Sequence, residues 1–341
     1  MKRMALSVLL TVCLTVVAIA QTLAINAAGA TFPYPIYSKW FDVYHSQHGS
    51  IQINYQSIGS GGGIRQLIAG TVDFGASDVP MNDDQMKDFQ SKNGCGVLHF
   101  PTVIGAVVPI YNVPKVSADL KFSQKALVGI YQGSITRWND PEIANANPGV
   151  SLPKDDMVVV HRSDGSGTSF IWTDFLSKAS SDWKNKVGAG ASINWPVGLG
   201  GKGNEGVAGL IKQTPDSIGY VELIYALQNQ IPFGLVQNAD GKFIKASLEG
   251  VTAAAASAAK SMPDDFRVSI TNAPGATAYP IASFTWLLIP ETIKDGAKRD
   301  AIKDFLKWML TDGQQYNEAL SYAKLPKPVG DKELKTISKI Q

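Results

Sequence analysis

The chain has 341 residues, 45% of them hydrophobic and 18% charged, with 31 Lys and Arg against 29 Asp and Glu. This balance excludes a collagen-like, a disordered and a multi-span membrane protein, and it offers no bulk basic field for nucleic acid. The length allows two cores rather than one, the two cysteines exclude a disulfide scaffold, and the 32 glycines point to close backbone approaches.

Lys2 and Arg3 precede an uncharged apolar run from Met4 to Ala20, and the next charged side chain is Lys39. A basic start, a short apolar stretch and an Ala18-x-Ala20 site read as a secretory signal peptide, with a second cut possible after Ala24. Residues 1–24 are assigned to it. Cys13 lies inside the hydrophobic region and is not read as a lipidation site. The mature chain then keeps one cysteine, Cys95, expected as a buried apolar side chain.

Extended and helical patterns alternate, as in α/β architecture. Ile51 to Ile58 and Val72 to Ala76 read as extended, with Ile64, Leu67 and Ile68 at helical spacing between them. Phe100 to Tyr111, Met157 to Val160 and Ile281 to Ile289 suit buried strands. Phe170 to Leu176, Val251 to Lys260 and Ala301 to Leu310 suit helices. No long linker divides the chain, which fits two lobes joined by extended strands.

Three loops repeat one chemistry, a hydroxyl and glycines before a helix. They are Gly29-Ala30-Thr31-Phe32-Pro33, Ile58-Gly59-Ser60-Gly61-Gly62-Gly63 and His161-Arg162-Ser163-Asp164-Gly165-Ser166-Gly167-Thr168. Thr31 is a candidate cap for a helix containing Pro33 and Pro35. Each loop supplies backbone N–H groups at the positive end of a helix, and Arg162 adds a fork suited to an oxyanion. The phosphate-loop and Gly-x-Ser-x-Gly spacings are absent, because Gly203 stands where the former needs a hydroxyl after Lys202. His45, His48, His99 and His161 form no metal signature.

Asp78 follows a strand in Gly75-Ala76-Ser77-Asp78, where ligands collect in α/β sheets. Taken alone, it reads first as a helix N-cap before Pro80. Beside an oxyanion, an ionised carboxylate can only accept, so it favours a guest that still carries a proton. Hydrogen phosphate does and sulfate does not.

The segments GAGATFPYPIYSKW, YQSIGSGGGIRQLIAGTVDFGASDVP, FPTVIGAVV, RSDGSGTSF and NWPVGLGGKGNEGV closely resemble the PstS-type phosphate-binding proteins of phosphate ABC transporters. The similarity runs from about Ala27 to Leu325. It implies an α/β, type II periplasmic-binding-protein fold, with two α/β lobes and two hinge crossings near Ile104 to Val107 and Ala278 to Ser283. Lobe I would comprise residues 25–105 and 280–341, and lobe II residues 106–279. By motif, the resemblance implies phosphate contacts from Thr31, Phe32, Ser60, Asp78, Arg162, Ser166, Gly167 and Thr168, with Asp164 orienting Arg162. It gives the NWPVGLGGKGNEGV segment no contact role, although Lys202 could add positive potential. It further implies a monomeric periplasmic carrier without cofactor, metal or catalysis, whose partners are inorganic phosphate and membrane permease subunits. The rival readings are a hydrolase using Ser60 or Ser166 with His161 as base, and a carrier for sulfate or arsenate.

Overall fold

The computed structural model describes residues 22–259 and 262–341, so the predicted leader lies outside it up to Gln21. The chain opens with β1 (Leu23–Gly29), α1 (Tyr34–Gln47), β2 (Ile51–Ser57), α2 (Ser60–Ile68), β3 (Phe74–Ser77), α3 (Asp83–Asn93) and the long β4 (Val97–Asn112). A middle stretch follows with β5 (Lys121–Phe122), α4 (Gln124–Gln132), α5 (Pro141–Ala144), β6 (Val158–Arg162), α6 (Gly167–Ala179) and α7 (Ser181–Lys186). It continues through β7 (Leu199–Gly201), α8 (Gly203–Gln213), β8 (Ser217–Glu222), α9 (Leu223–Gln228), β9 (Leu235–Gln237), β10 (Phe243–Ile244) and α10 (Leu248–Ala259). The return consists of β11 (Ala282–Pro290), α11 (Gly296–Leu310) and α12 (Lys327–Thr336).

Eight strands form one curled sheet in the order β2-β1-β3-β11-β4-β8-β6-β7, and β10-β9-β5 form a small second sheet. β4 explains the two-lobed shape. Its first part, Val97 to Ala106, pairs with β11, and from Val107 onward it pairs with β8. Nearly every residue of β4 is buried, as expected of a strand covered on both faces. The returning chain lies beside it at the changeover, where the Val107 N–H donates to the Ile281 carbonyl at 2.8 Å. Groups of packed aromatic rings lie on both sides of this seam within one hydrophobic core. Tyr37, Trp40, Phe41, Tyr44 and Phe305 pack on one side, and Tyr131, Trp172 and Tyr220 on the other.

Several sequence expectations shift. α2 begins at Ser60, not near Ile64, so Gly61, Gly62 and Gly63 form its first turn rather than a preceding loop. The reason is packing: a Cβ on Gly63 would lie 2.5 Å from the Gly29 Cα and 2.6 Å from the Ala28 carbonyl oxygen. Glycine lets α2 lie directly on β1 despite its poor helix propensity. Thr31 does not cap α1; Pro33 occupies the N-cap position without a side-chain bond. Nor does Asp78 cap α3, because Asn82 and Gln85 form a reciprocal capping box there. Cys95 is half-buried at the edge of the core rather than enclosed, since it sits in the turn just after Gly94 ends α3.

Gly63→Ala should destabilise the protein by about 1–3 kcal/mol, the usual cost of overpacking a tight contact. Urea unfolding checks this as a lower midpoint with an unchanged slope.

Candidate functional site

Residues from all three Gly-rich loops meet at the seam between the two halves of the sheet. Thr31 lies beyond the end of β1, Ser60 starts α2, and Asp78 follows β3. Arg162 ends β6, and Ser166, Gly167 and Thr168 begin α6. Ser60, Ser166 and Thr168 have no exposed surface, while Asp78 and Arg162 are 1% and 3% exposed. Two charged groups and several hydroxyls are thus taken out of water together, which is favourable only when their charges and hydrogen bonds are matched.

Arg162 is held as a fork. Its Nε donates to Asp164 Oδ1 at 2.8 Å and its Nη2 to Asp164 Oδ2 at 2.6 Å, while Nη1 donates to Thr168 Oγ1 at 3.2 Å. Burial opposes ionisation of Asp164, but the Arg162 hydrogen bonds and charge hold its carboxyl below the usual range. The Gly203 N–H adds a bond to Asp164 Oδ1 at 3.1 Å. Three of the five guanidinium hydrogens are spent in this way, and one remains on each terminal nitrogen.

Asp78 forms the opposite pole. Thr285 Oγ1 donates to its Oδ1 at 2.7 Å and Ser60 Oγ to its Oδ2 at 3.3 Å, while the Asp78 N–H returns a bond to Ser60 Oγ at 3.1 Å. Burial pushes the carboxyl up to about 7, against the pull of the Thr285 bond, the Arg162 charge and the Ser60 bond. Below Asp78 the chain is anchored by His99 on β4, whose Nε2 accepts the Met81 N–H at 3.1 Å. Burial lowers this imidazole to about 4, keeping it neutral and able to accept.

Ser166 is the N-cap of α6, its Oγ accepting the Ser169 N–H at 3.0 Å. The first turn of α6 leaves the N–H groups of Gly167 and Thr168 without helical partners. Gly167 comes so close to the facing loops that a Cβ would lie 2.4 Å from both Asp78 Oδ2 and Ser60 Oγ. The Gly61 N–H donates to the Gly165 carbonyl at 2.8 Å, joining the α2 loop to the α6 loop directly. Phe32 is fully buried, and Tyr322 donates to its carbonyl at 2.6 Å.

Asn204 and Thr285 belong to this cluster but were not singled out from sequence. Asn204 opens α8 after a Gly-rich turn, the same signature as the other loops. Thr285 is one of two hydroxyl residues, with Ser283, inside a largely apolar strand. Lys202, by contrast, is exposed. His161 does not face Ser166: its ring stacks on Trp195 at 4.8 Å and its Nδ1 lies 2.9 Å from the Arg162 carbonyl. Among the described residues no cluster of His, Cys, Asp and Glu could hold a metal, and no helix is long and apolar enough to cross a membrane.

The unfolded-state value for Asp78 is near 3.8, and the folded value is about 7. Its stabilising contribution is therefore complete below about pH 4 and is lost as the pH rises through 7. Asp78→Asn should raise the thermal midpoint at pH 8 by roughly 2–4 °C for each kcal/mol relieved. Melting curves without added anion should show this gap closing by about pH 4.

Residues 16–313 match the model of the PBP superfamily domain. The chain is 46% identical over 307 residues to the phosphate-binding protein PstS of Xylella fastidiosa strain Temecula1, covering 90% of this chain and 82% of the relative. It is 39% identical over 342 residues to the phosphate-binding protein PstS of Methanocaldococcus jannaschii, covering 94% and 87%. The fold is shared with the periplasmic phosphate-binding protein PfluDING, at TM-score 0.71 and 19% identity over 91% of this chain and 92% of that one. It is shared also with a phosphate-binding protein of Stenotrophomonas maltophilia, at TM-score 0.68 and 18% identity over 92% and 93%. The chain belongs to the PstS family of binding proteins, within the PBP superfamily.

Proposed function

We propose that this protein captures inorganic phosphate between two lobes and delivers it to the membrane permease subunits of an ABC importer, acting as a carrier rather than an enzyme. Lobe I comprises residues 25–105 and 280–341, and lobe II residues 106–279, with the hinge where β4 and the returning chain lie side by side. Lobe I offers Thr31, the backbone N–H of Phe32, Ser60 and Asp78. Lobe II offers Arg162, Ser166, Gly167 and Thr168, with Asp164 holding the guanidinium in place. The names of the PstS relatives support this ligand at 46% and 39% identity. The leader directs secretion to the periplasm. A cut after Ala20 leaves β1 whole, whereas one after Ala24 removes Leu23 and Ala24, which pair with Ile51 and Gln52 of β2.

The observation that carries the reading is the buried opposition of Arg162 and Asp78 across a ring of hydroxyls. The two guanidinium hydrogens left by Asp164 and Thr168 suit a bidentate grip on one anion. Asp78 then accepts the proton of hydrogen phosphate, which closes the charge pattern. Charge-assisted hydrogen bonds of about 1.5–3 kcal/mol each, less ordering and desolvation costs, suffice for a micromolar carrier at about −8 kcal/mol. Binding favours closure because contacts from both lobes are available only when they meet. A hydrolase needs a base at Ser166, and the His161 ring is committed elsewhere.

Isothermal titration is expected to show tight phosphate binding that Arg162→Ala weakens by at least about 100-fold, because a charge-assisted bidentate pair is lost from a dry site. Unchanged affinity in that variant overturns the site assignment. Titrations with sulfate across pH probe Asp78 separately. Discrimination against sulfate should weaken as the pH falls below about 7, where the carboxyl gains a proton and can donate. Asp78→Asn should bind sulfate more tightly than the parent protein at pH 8, since an amide also donates.

A further inference from the structure

We propose that Asn204 is a positioning residue that sets the polarity of the Thr31 and Thr168 hydroxyls, making both of them donors toward the bound anion. The inference rests on the phosphate-carrier reading above and adds a specificity device to it.

Asn204 is fully buried at the second position of α8, next to Gly203, whose N–H holds Asp164. Its side-chain oxygen accepts the Glu222 N–H at 2.9 Å. A backbone N–H can be met only by the carbonyl side of an amide, so this bond fixes which way the side chain faces. The amide nitrogen is thereby turned to Thr31 Oγ1 at 2.7 Å and to Thr168 Oγ1 at 3.3 Å. One amide hydrogen serves each threonine, and the two threonines belong to opposite sides of the seam.

The count of lone pairs completes the argument. A hydroxyl oxygen has two, and its single hydrogen goes wherever they do not. Thr31 Oγ1 also faces the Asn204 backbone N–H at 3.4 Å, and Thr168 Oγ1 also accepts from Arg162 Nη1 at 3.2 Å. Each oxygen therefore meets two donors, and among the described residues neither hydroxyl donates to a protein acceptor. A threonine hydroxyl can ordinarily donate or accept, and so could tolerate a guest of either kind. Here both are committed to donating. The chain of command runs from the Glu222 N–H through the Asn204 amide to two hydroxyl hydrogens that can satisfy only an acceptor such as a phosphate oxygen. Asn204 need not touch the anion to do this.

A mutant cycle read by phosphate titration tests the proposal on the full mature chain, comparing the parent, N204A, the double variant T31V/T168V and the triple variant. N204A should lower phosphate affinity about tenfold or more in the parent, and by less than about threefold in T31V/T168V, because the hydroxyls through which it acts are then gone. Equal losses in the two backgrounds, or no loss in the first, overturn the proposal, since a merely structural role would be additive. Should N204A fail to fold by circular dichroism, N204S passes through the same cycle with the same criterion. If the parent itself shows no phosphate binding, it is the carrier reading that fails, and the two failures are told apart by that first titration.

Discussion

The placement of one guanidinium in a buried seam governs the rest of the site. Arg162 is a permanent charge with almost no exposed surface, and such a charge is tolerable only if neighbouring groups replace its hydration. Asp164 does so through two short bonds, supported by the Gly203 N–H. That arrangement leaves the outer edge of the fork aimed at the seam. Removing the partner of a buried pair is far more damaging than never having built it, so the Asp164 loop and the start of α8 are as necessary to the proposed anion site as Arg162 itself.

In the proposed site Asp78 would be an unusual neighbour for an anion, and its surroundings bear on how it is accommodated. Thr285 and Ser60 satisfy both of its oxygens, yet burial still pushes its carboxyl to about 7. A group poised there neither repels a protonated oxyanion strongly nor donates freely to an unprotonated one. In the proposed site the Thr31 and Thr168 hydroxyls, whose oxygens each meet two donors, would act differently and donate.

The groups that meet at the seam are carried by both halves of the sheet. β4 belongs to both halves, changing partner from β11 to β8 at Val107, and the returning chain lies against it at Ile281. Groups of packed aromatic rings lie on both sides of the changeover, within one hydrophobic core. The glycines at the seam allow backbone to meet backbone, as at Gly61 and Gly165, where a side chain would hold the halves apart.

Much of this was legible along the chain. The buried strands around Phe100 and Phe284 follow from runs of apolar and β-branched residues, while the pairing of Asp164 with Arg162 was implied by the resemblance of the RSDGSGTSF segment. Local pattern misled where packing overrode propensity. Three glycines look like a loop, but they form the first turn of α2 because only glycine lets that helix rest on β1. Thr31 looks like a cap and is instead a partner of Asn204, 173 residues away. The roles of Asn204 and Thr285 were decided by tertiary structure alone, since a lone polar side chain acquires its meaning from the donor or acceptor that folding places beside it. Composition and spacing could determine which chemistry the chain carries; which hydrogen points where depends on groups brought together from distant strands, and burial then makes each unmatched one costly.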